Sequence, residues 1–244
     1  MNGPAVTGWP RTGPGARTLR ALLFGAVFAI AGAIAGIPPG ALAQVQEGAS
    51  DTTRADTSEA RAVEIIRADT LRQIQRDGRP IRLLLGSVAL RQDSTRLYAD
   101  RAEQYMLAEA DSFLFEGDVR IVDRGDTLEA PVVRYFEGRR VGDACGGIYL
   151  TDGEVELWAP GGTYYLDAER ANFRDGVRMV DSVSVLTSRR GTYFLEEKRA
   201  VFEGDVQLEQ EGTTMRGDSL VHYREGARSH GFGSVRIEHR ESFA

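Results

Sequence analysis

The side chains best suited to chemistry are few and widely spread. His222, His230 and His239 are the only histidines, at spacings of eight and nine residues. That spacing puts them on separate strands or turns. It matches neither a helical H-x-x-x-H face nor a paired Cys/His site, so no metal is expected. Cys145 is the only cysteine and sits in Gly142-Asp-Ala-Cys-Gly-Gly147. A catalytic thiolate needs a base or a positive neighbour to lower its pKa, and no histidine is near in sequence. An internal disulfide is excluded by count.

Asp69, Asp100 and Asp218 recur at one phase of the chain. A pair of carboxylates would suit glycoside hydrolysis. Recurrence once per repeat instead predicts a structural role, such as bonding turn amides or neighbouring arginines. Tyr105, Tyr135, Tyr164, Tyr193 and Tyr223 also recur, and core or cross-strand packing is expected for them ahead of stacking on sugars. No phosphate-cradling glycine loop and no serine elbow is present. The expectation is a protein without catalytic residues, metal or cofactor.

The bulk numbers point the same way. Thirty basic against 36 acidic residues leave a net charge of −6, without the basic excess that rewards nucleic acid. Lys198 is the only lysine, so arginine supplies nearly all the positive charge. Its planar fork suits phosphate and carboxylate, although base composition alone explains such a bias.

Residues 1–43 have the layout of a secretory signal. Arg11, Arg17 and Arg20 precede an apolar run from Ala21 to Ile37, a Pro38-Pro39-Gly40 break and an Ala41-Leu42-Ala43 cleavage site. The apolar run is short for a membrane span, which needs about 20 residues. Residues 44–62 are polar and carry little to bury, which predicts a flexible linker. The domain proper is expected from 63 to 244, exported from the cytoplasm.

What must position the side chains is a repeat. A G-x-V-x-L pattern, with apolar substitutes, has its first apolar member at Val88, Val119, Ile148, Val177, Val206 and Val235, at intervals of 31, 29, 29, 29 and 29 residues. The second member follows two residues on, at Leu90, Ile121, Leu150, Met179, Leu208 and Ile237. Ala89, Arg120, Tyr149, Arg178, Gln207 and Arg236 stand between them. This alternation predicts half-buried strands. Gly86, Gly117, Gly146, Gly204 and Gly233 precede most of these strands, where a turn or bulge would need positive φ.

A second signature runs apolar, x, small, Asp or Pro, then an aromatic. Its copies are Leu97-Tyr-Ala-Asp100 to Tyr105, Leu128-Glu-Ala-Pro131 to Tyr135 and Leu157-Trp-Ala-Pro160 to Tyr164, with weaker ones at Leu186 and Met215 and a half-copy at Ile66. Two or three strands per unit in about six units predict an all-β domain of roughly 15 strands. Either a parallel β-helix or a rolled, V-shaped antiparallel sheet pair fits a 29-residue unit. Hairpin tips at Asp123-Arg-Gly-Asp126, Thr151-Asp-Gly153 and Gln210-Glu-Gly212 favour the second.

The serial G-x-V-x-[LI] and L-x-A-D-x-x-x-x-Y motifs, clearest in Leu97–Tyr105 and Glu203-Gly-Asp-Val-Gln-Leu208, resemble those of the OstA-like, LptA-type family of periplasmic lipopolysaccharide-transport bridge proteins over residues 63–240. That resemblance implies a repeat-built antiparallel β-jellyroll of two facing sheets, open at both ends, with an apolar interior that takes the acyl chains of lipid A. The lining expected here is Val88, Leu90, Val119, Ile121, Ile148, Leu150, Val177, Met179, Val206 and Leu208. It also implies partners: lipopolysaccharide as cargo, an inner-membrane anchored protein, an outer-membrane β-barrel and further copies stacked head to tail. Ile66, Leu71, Val235 and Ile237 would form the assembly edges. Pro131, Pro160 and Arg189 stand where the motif has Asp. The competing readings are a polysaccharide-binding or -cleaving β-helix protein, and an inner-membrane anchored partner that keeps residues 21–37.

Overall fold

The computed structural model describes residues 63–239, apart from 107–110, 195 and 224–227. The expected signal and linker lie outside the described residues. Sixteen strands follow one another, all pairing antiparallel. Short β1 (Glu64–Arg67) and β2 (Thr70–Arg76) lead into six long strands: β3 (Arg79–Gln92), β4 (Thr95–Tyr105), β5 (Ser112–Asp123), β6 (Asp126–Phe136), β7 (Val141–Thr151) and β8 (Glu156–Tyr165). Four short strands come next, β9 (Arg170–Arg174), β10 (Val177–Val180), β11 (Ser184–Ser188) and β12 (Arg190–Phe194). Long β13 (Arg199–Gln210) and β14 (Thr213–Tyr223), then short β15 (Arg228–Phe232) and β16 (Arg236–His239), complete the order. The only helical element among the described residues is a single 3₁₀ turn at Glu137–Arg139.

The glycine-led motif explains the shape. In each long hairpin, two residues of one strand oppose a single residue of the next. Gly86-Ser87 face Asp100, Gly117-Asp118 face Pro131, Gly146-Gly147 face Pro160, and Gly204-Asp205 face Asp218. These are β-bulges, and both residues of every pair have positive φ. Bulges at the same level in successive strands line up into one crease, which bends the whole sheet. Where the chain reaches Asp175-Gly176, both again at positive φ, the crease cuts the strand outright into β9 and β10.

Gly117 shows why the position is restricted. Its φ is +76°, and a Cβ there would collide with the side chain of Asp100. The Asp100 carboxylate fills the space that glycine leaves. Asp69 and Asp218 do the same over Gly86 and Gly233, while Pro131 and Arg189 take that place over Gly146 and Gly204. The single-residue side of a bulge makes no ladder pair, so proline is tolerated in it. The two sequence signatures are therefore the two halves of one structural joint, and the recurring aspartates serve packing. Asp218 also accepts a hydrogen bond from the Ser234 amide at 3.1 Å.

The crease divides the sheet into two leaves. The first, carrying the V-x-L segments, runs β1-β3-β4-β5-β6-β7-β8-β10-β11-β13-β14-β16. The second runs β2-β3-β4-β5-β6-β7-β8-β9-β12-β13-β14-β15. No strand pair of the described residues joins the leaves away from the crease. The core lies between them: Val119, Ile121 and Leu150 of the first leaf share one apolar cluster with Phe115, Val133 and Phe173 of the second. Each fully buried aliphatic side chain of this kind stabilises the roll by about 1.5–3 kcal/mol. This is the antiparallel jellyroll class expected from the sequence.

The tyrosine series divides between environments. Tyr135 and Tyr164 are buried in the core, and Tyr193 packs partly buried against it. Tyr223 is 38% exposed, in a cross-strand row with Phe194, Tyr165 and Phe136. A spacing of 29 residues at 136, 165, 194 and 223 marks this row in the sequence; its first three members each follow a tyrosine of the other series by one residue, and Tyr223 belongs to both. Arginines cover three of its rings, with Arg139 at 4.1 Å from Phe136, Arg170 at 4.9 Å from Tyr165 and Arg199 at 4.3 Å from Phe194.

Candidate functional site: an apolar interleaf wall and an outer cleft

The expected lining residues all stand on the inner face of the first leaf. Val88, Leu90, Val119, Ile121, Ile148, Leu150, Val177, Val206 and Leu208 are buried, and Met179 packs partly buried against them. Leu90 pairs with Leu97, Leu97 with Ile121, Ile121 with Leu128, Leu128 with Leu150, Leu150 with Leu157 and Leu157 with Met179. Leu186 and Leu208 continue that apolar row towards Met215. The facing wall is supplied by Ala102, Phe113, Phe115, Val133, Tyr135, Ala144 and Phe173. The walls rest on each other near the crease; the space beside Gly162 of the second leaf is taken by Ile148 of the first.

Polar groups punctuate the wall near its ends. Arg82, 8% exposed, donates to Gln104 Oε1 at 3.1 Å, and Gln104 donates to Asp111 at 2.6 Å. His222 is half-buried with its Nδ1 3.0 Å from Ser229 Oγ. Burial lowers its pKa, against the charge of Asp181, which raises it. His230 meets Tyr223 edge-on, and His239 Nδ1 lies 2.9 Å from Thr213 Oγ1. Cys145 is half-buried in β7 beside the crease. No set of three His, Cys, Asp or Glu among the described residues is placed to hold a metal ion.

The candidate edge residues occupy both ends of the sheet order. Ile66 lies in β1, 51% exposed, and Ile237 in β16, 45% exposed; these two strands are the edges of the first leaf. Leu71 lies in β2, an edge of the second leaf. Val235 precedes β16 and packs against the core.

The outer surface holds a feature that motif reading passed over. An open cleft of about 1260 Å³ runs along the crease on the outside of the first leaf. One side of it is a cross-strand row of six residues, Arg120, Glu129, Tyr149, Trp158, Arg178 and Thr187, each paired with the next, and the crease, from Asp118 and Pro131 to Asp175 and Gly176, lines the other. Tyr149 and Trp158 rings lie 5.4 Å apart, and the Arg178 guanidinium sits 5.2 Å from the Trp158 ring. Three of the six are the middle residue of a V-x-L segment, so the signal was present in the motif as the outward half of the alternation.

A family model described as OstA-like protein matches residues 60–218. The chain belongs to the OstA-like family. The matched span of this OstA-like chain takes in the crease joints from Gly86 to Gly204, both leaf walls and the outer cleft. None of the curated proteins matches it. Among solved structures, one similar chain is LptH of Pseudomonas aeruginosa, titled the LptA homologous periplasmic component of the conserved lipopolysaccharide transport device. It is 15% identical, with a TM-score of 0.30, over 60% of this chain and 95% of that one. No helix of the OstA-like chain among the described residues is long and apolar enough to cross a membrane.

Proposed function

We propose that this protein is a non-enzymatic carrier in the periplasm that takes the acyl chains of lipopolysaccharide between its two leaves and passes the lipid towards the outer membrane. The observation that carries the reading is the unbroken apolar row of inward side chains from Leu90 to Met215, facing a second apolar wall with no strand pairing among the described residues to hold the two together away from the crease. Membership of the OstA-like family supports it. Separating the leaves at the crease exposes apolar surface, and each methylene of an entering acyl chain returns about 0.8 kcal/mol. Because the row repeats the same chemistry, the chain slides along it at little change in free energy. Transport needs that evenness more than tight capture.

A photo-crosslinking amino acid in place of Leu150 or Val177 is expected to yield a lipopolysaccharide adduct in living cells. The same probe at Arg120, which is exposed on the outer side of β5, is not expected to reach the acyl chains. Equal labelling at both positions, or none at Leu150, would reject an interleaf path.

The same reading places further copies, an inner-membrane anchored partner and an outer-membrane β-barrel at the two ends of the roll. Their contacts are edge-strand additions to β1 and β2 at one end and to β15 and β16 at the other. Head-to-tail addition does not close on itself and so builds a rod. Ile237→Pro removes an amide from β16 and should abolish concentration-dependent light scattering. Unchanged scattering counts against assembly through this edge.

A further inference from the structure

We propose that the outer cleft is a second binding site, distinct from the interleaf wall, and that its ligand is a glycan chain. The inference goes beyond lipid carriage and does not require it.

Size and shape come first. Drug-sized ligands occupy pockets of about 300–1,000 Å³, and this cleft is larger and open along its length at about 1260 Å³. Its row crosses six neighbouring strands, which at about 4.8 Å per strand makes a track of about 24 Å. A track of that form suits a linear polymer.

The lining then selects among polymers. An acyl chain would strip water from Arg120, Glu129 and Arg178 without returning a hydrogen bond, which is costly. A peptide strand binds at a sheet edge through its backbone, whereas this row lies mid-sheet with neighbours paired on both sides. Nucleic acid needs a basic surface, and here Asp118, Glu129 and Asp175 outnumber Arg120 and Arg178. A sugar chain fits every constraint. Its hydroxyls both donate and accept, so carboxylates and guanidiniums side by side can each be satisfied. Its C–H faces pack on the half-exposed Tyr149 and Trp158 rings, which offer an apolar body with a polar tip. The charges are also held in place: Arg120 pairs with Glu129 at 3.4 Å, and Tyr149 donates to Glu156 at 2.9 Å.

Two sources present such a chain outside the inner membrane: the saccharide part of lipopolysaccharide, and the glycan strands of the cell wall. Trp158 itself reports on the choice, since Trp9 is the only other tryptophan. In the full chain carrying Trp9→Phe, Trp158 fluorescence is titrated with lipid-free oligosaccharide released from lipopolysaccharide by mild acid, and separately with soluble cell-wall glycan fragments. A saturable change with either one supports the site and names its source. Tyr149→Ala and Arg178→Gln should each weaken that response at least tenfold, read by calorimetry. Arg178 is exposed, so its replacement leaves the fold intact even if Tyr149→Ala loosens it. Uptake of a fluorescent fatty acid by the interleaf wall should be the same in all variants. No response to either saccharide, or a response that both substitutions leave unchanged, overturns the proposal. Failure of the fatty acid to bind bears on the carrier reading alone.

Discussion

Phe115→Ala is expected to lower the free energy of unfolding by about 3–5 kcal/mol, the cost of removing a buried ring and leaving a cavity. Phe115 is 2% exposed and stands on the inner wall of the second leaf, with Ala102 and Val133 as its cross-strand neighbours. Its small neighbour Ala102 cannot swing into the gap, so relaxation is limited. The cavity opens onto the proposed acyl path, and this separates a carrier from a sealed sandwich. A long-chain fatty acid present at about a hundred times its dissociation constant stabilises a binding form by about 2.7 kcal/mol. At one fixed fatty-acid concentration the enlarged space should let the variant bind more tightly, and its melting temperature should then rise by more than that of the parent protein. Denaturant titration with and without the fatty acid measures both numbers. A loss of stability that fatty acid does nothing to restore would argue for a core that admits no chain.

The second large effect is expected at Glu103. This carboxylate is 1% exposed on the outer face of β4 and receives both arms of Arg76, at 3.1 and 3.2 Å. Arg101 and the Tyr105 hydroxyl also donate to it. Burial alone would raise its pKa, but hydrogen bonds from Tyr105, Arg101 and Arg76 outweigh burial and hold it at about 2. Arg76 belongs to β2 and Glu103 to β4, so the cluster straps the edge strand of the second leaf across β3. Glu103→Leu strands the donors of three residues, two of them half-exposed arginines that water can reach. The expected loss is about 2–4 kcal/mol, at the lower side of a broken buried pair. The pH dependence follows from the sign of the shift. A folded-state pKa below the unfolded one contributes stability in full above pH 4.5. That contribution, about 3 kcal/mol, is lost as pH falls from 4.5 towards 2. Urea midpoints measured between pH 6 and pH 2.5 should fall steeply for the parent protein. They should be flatter over the acid part of the range in Glu103→Gln. Parallel curves would mean that Glu103 is not the group that titrates.

The crease left a trace in the sequence as glycine at one fixed place before most V-x-L segments. A turn or a bulge would serve there, and strand pairing decides for the bulge. Period-2 alternation at Val119, Ile121 and their counterparts marks one apolar side on each strand, and pairing in the fold turns that side inwards. What the motif could not reveal is how its two halves meet. Asp100 is 17 residues before Gly117 and becomes its neighbour only once strands pair, so its packing role appears in three dimensions alone. The tyrosine series splits because Tyr135 follows Leu128 by seven residues and Tyr223 follows Met215 by eight, which puts them on opposite faces beyond the crease. Tyr135 ends up inside, while Phe136 and Tyr223 end up outside. The outer cleft escaped notice for a different reason. Arg120, Tyr149 and Arg178 are unremarkable solvent-side residues one strand at a time, and only their cross-strand alignment with Trp158 makes a surface.

The matching twelve-strand order of the two leaves has a bearing on how long such a molecule can be. At about 4.8 Å per strand, eleven intervals give a roll about 53 Å from end to end before twist is counted. Duplicating one 29-residue stretch would insert two strands into each leaf and lengthen the roll by about 10 Å. Both terminal surfaces would remain as they are. On the proposed carrier reading, the span of one molecule would change in steps of about 10 Å.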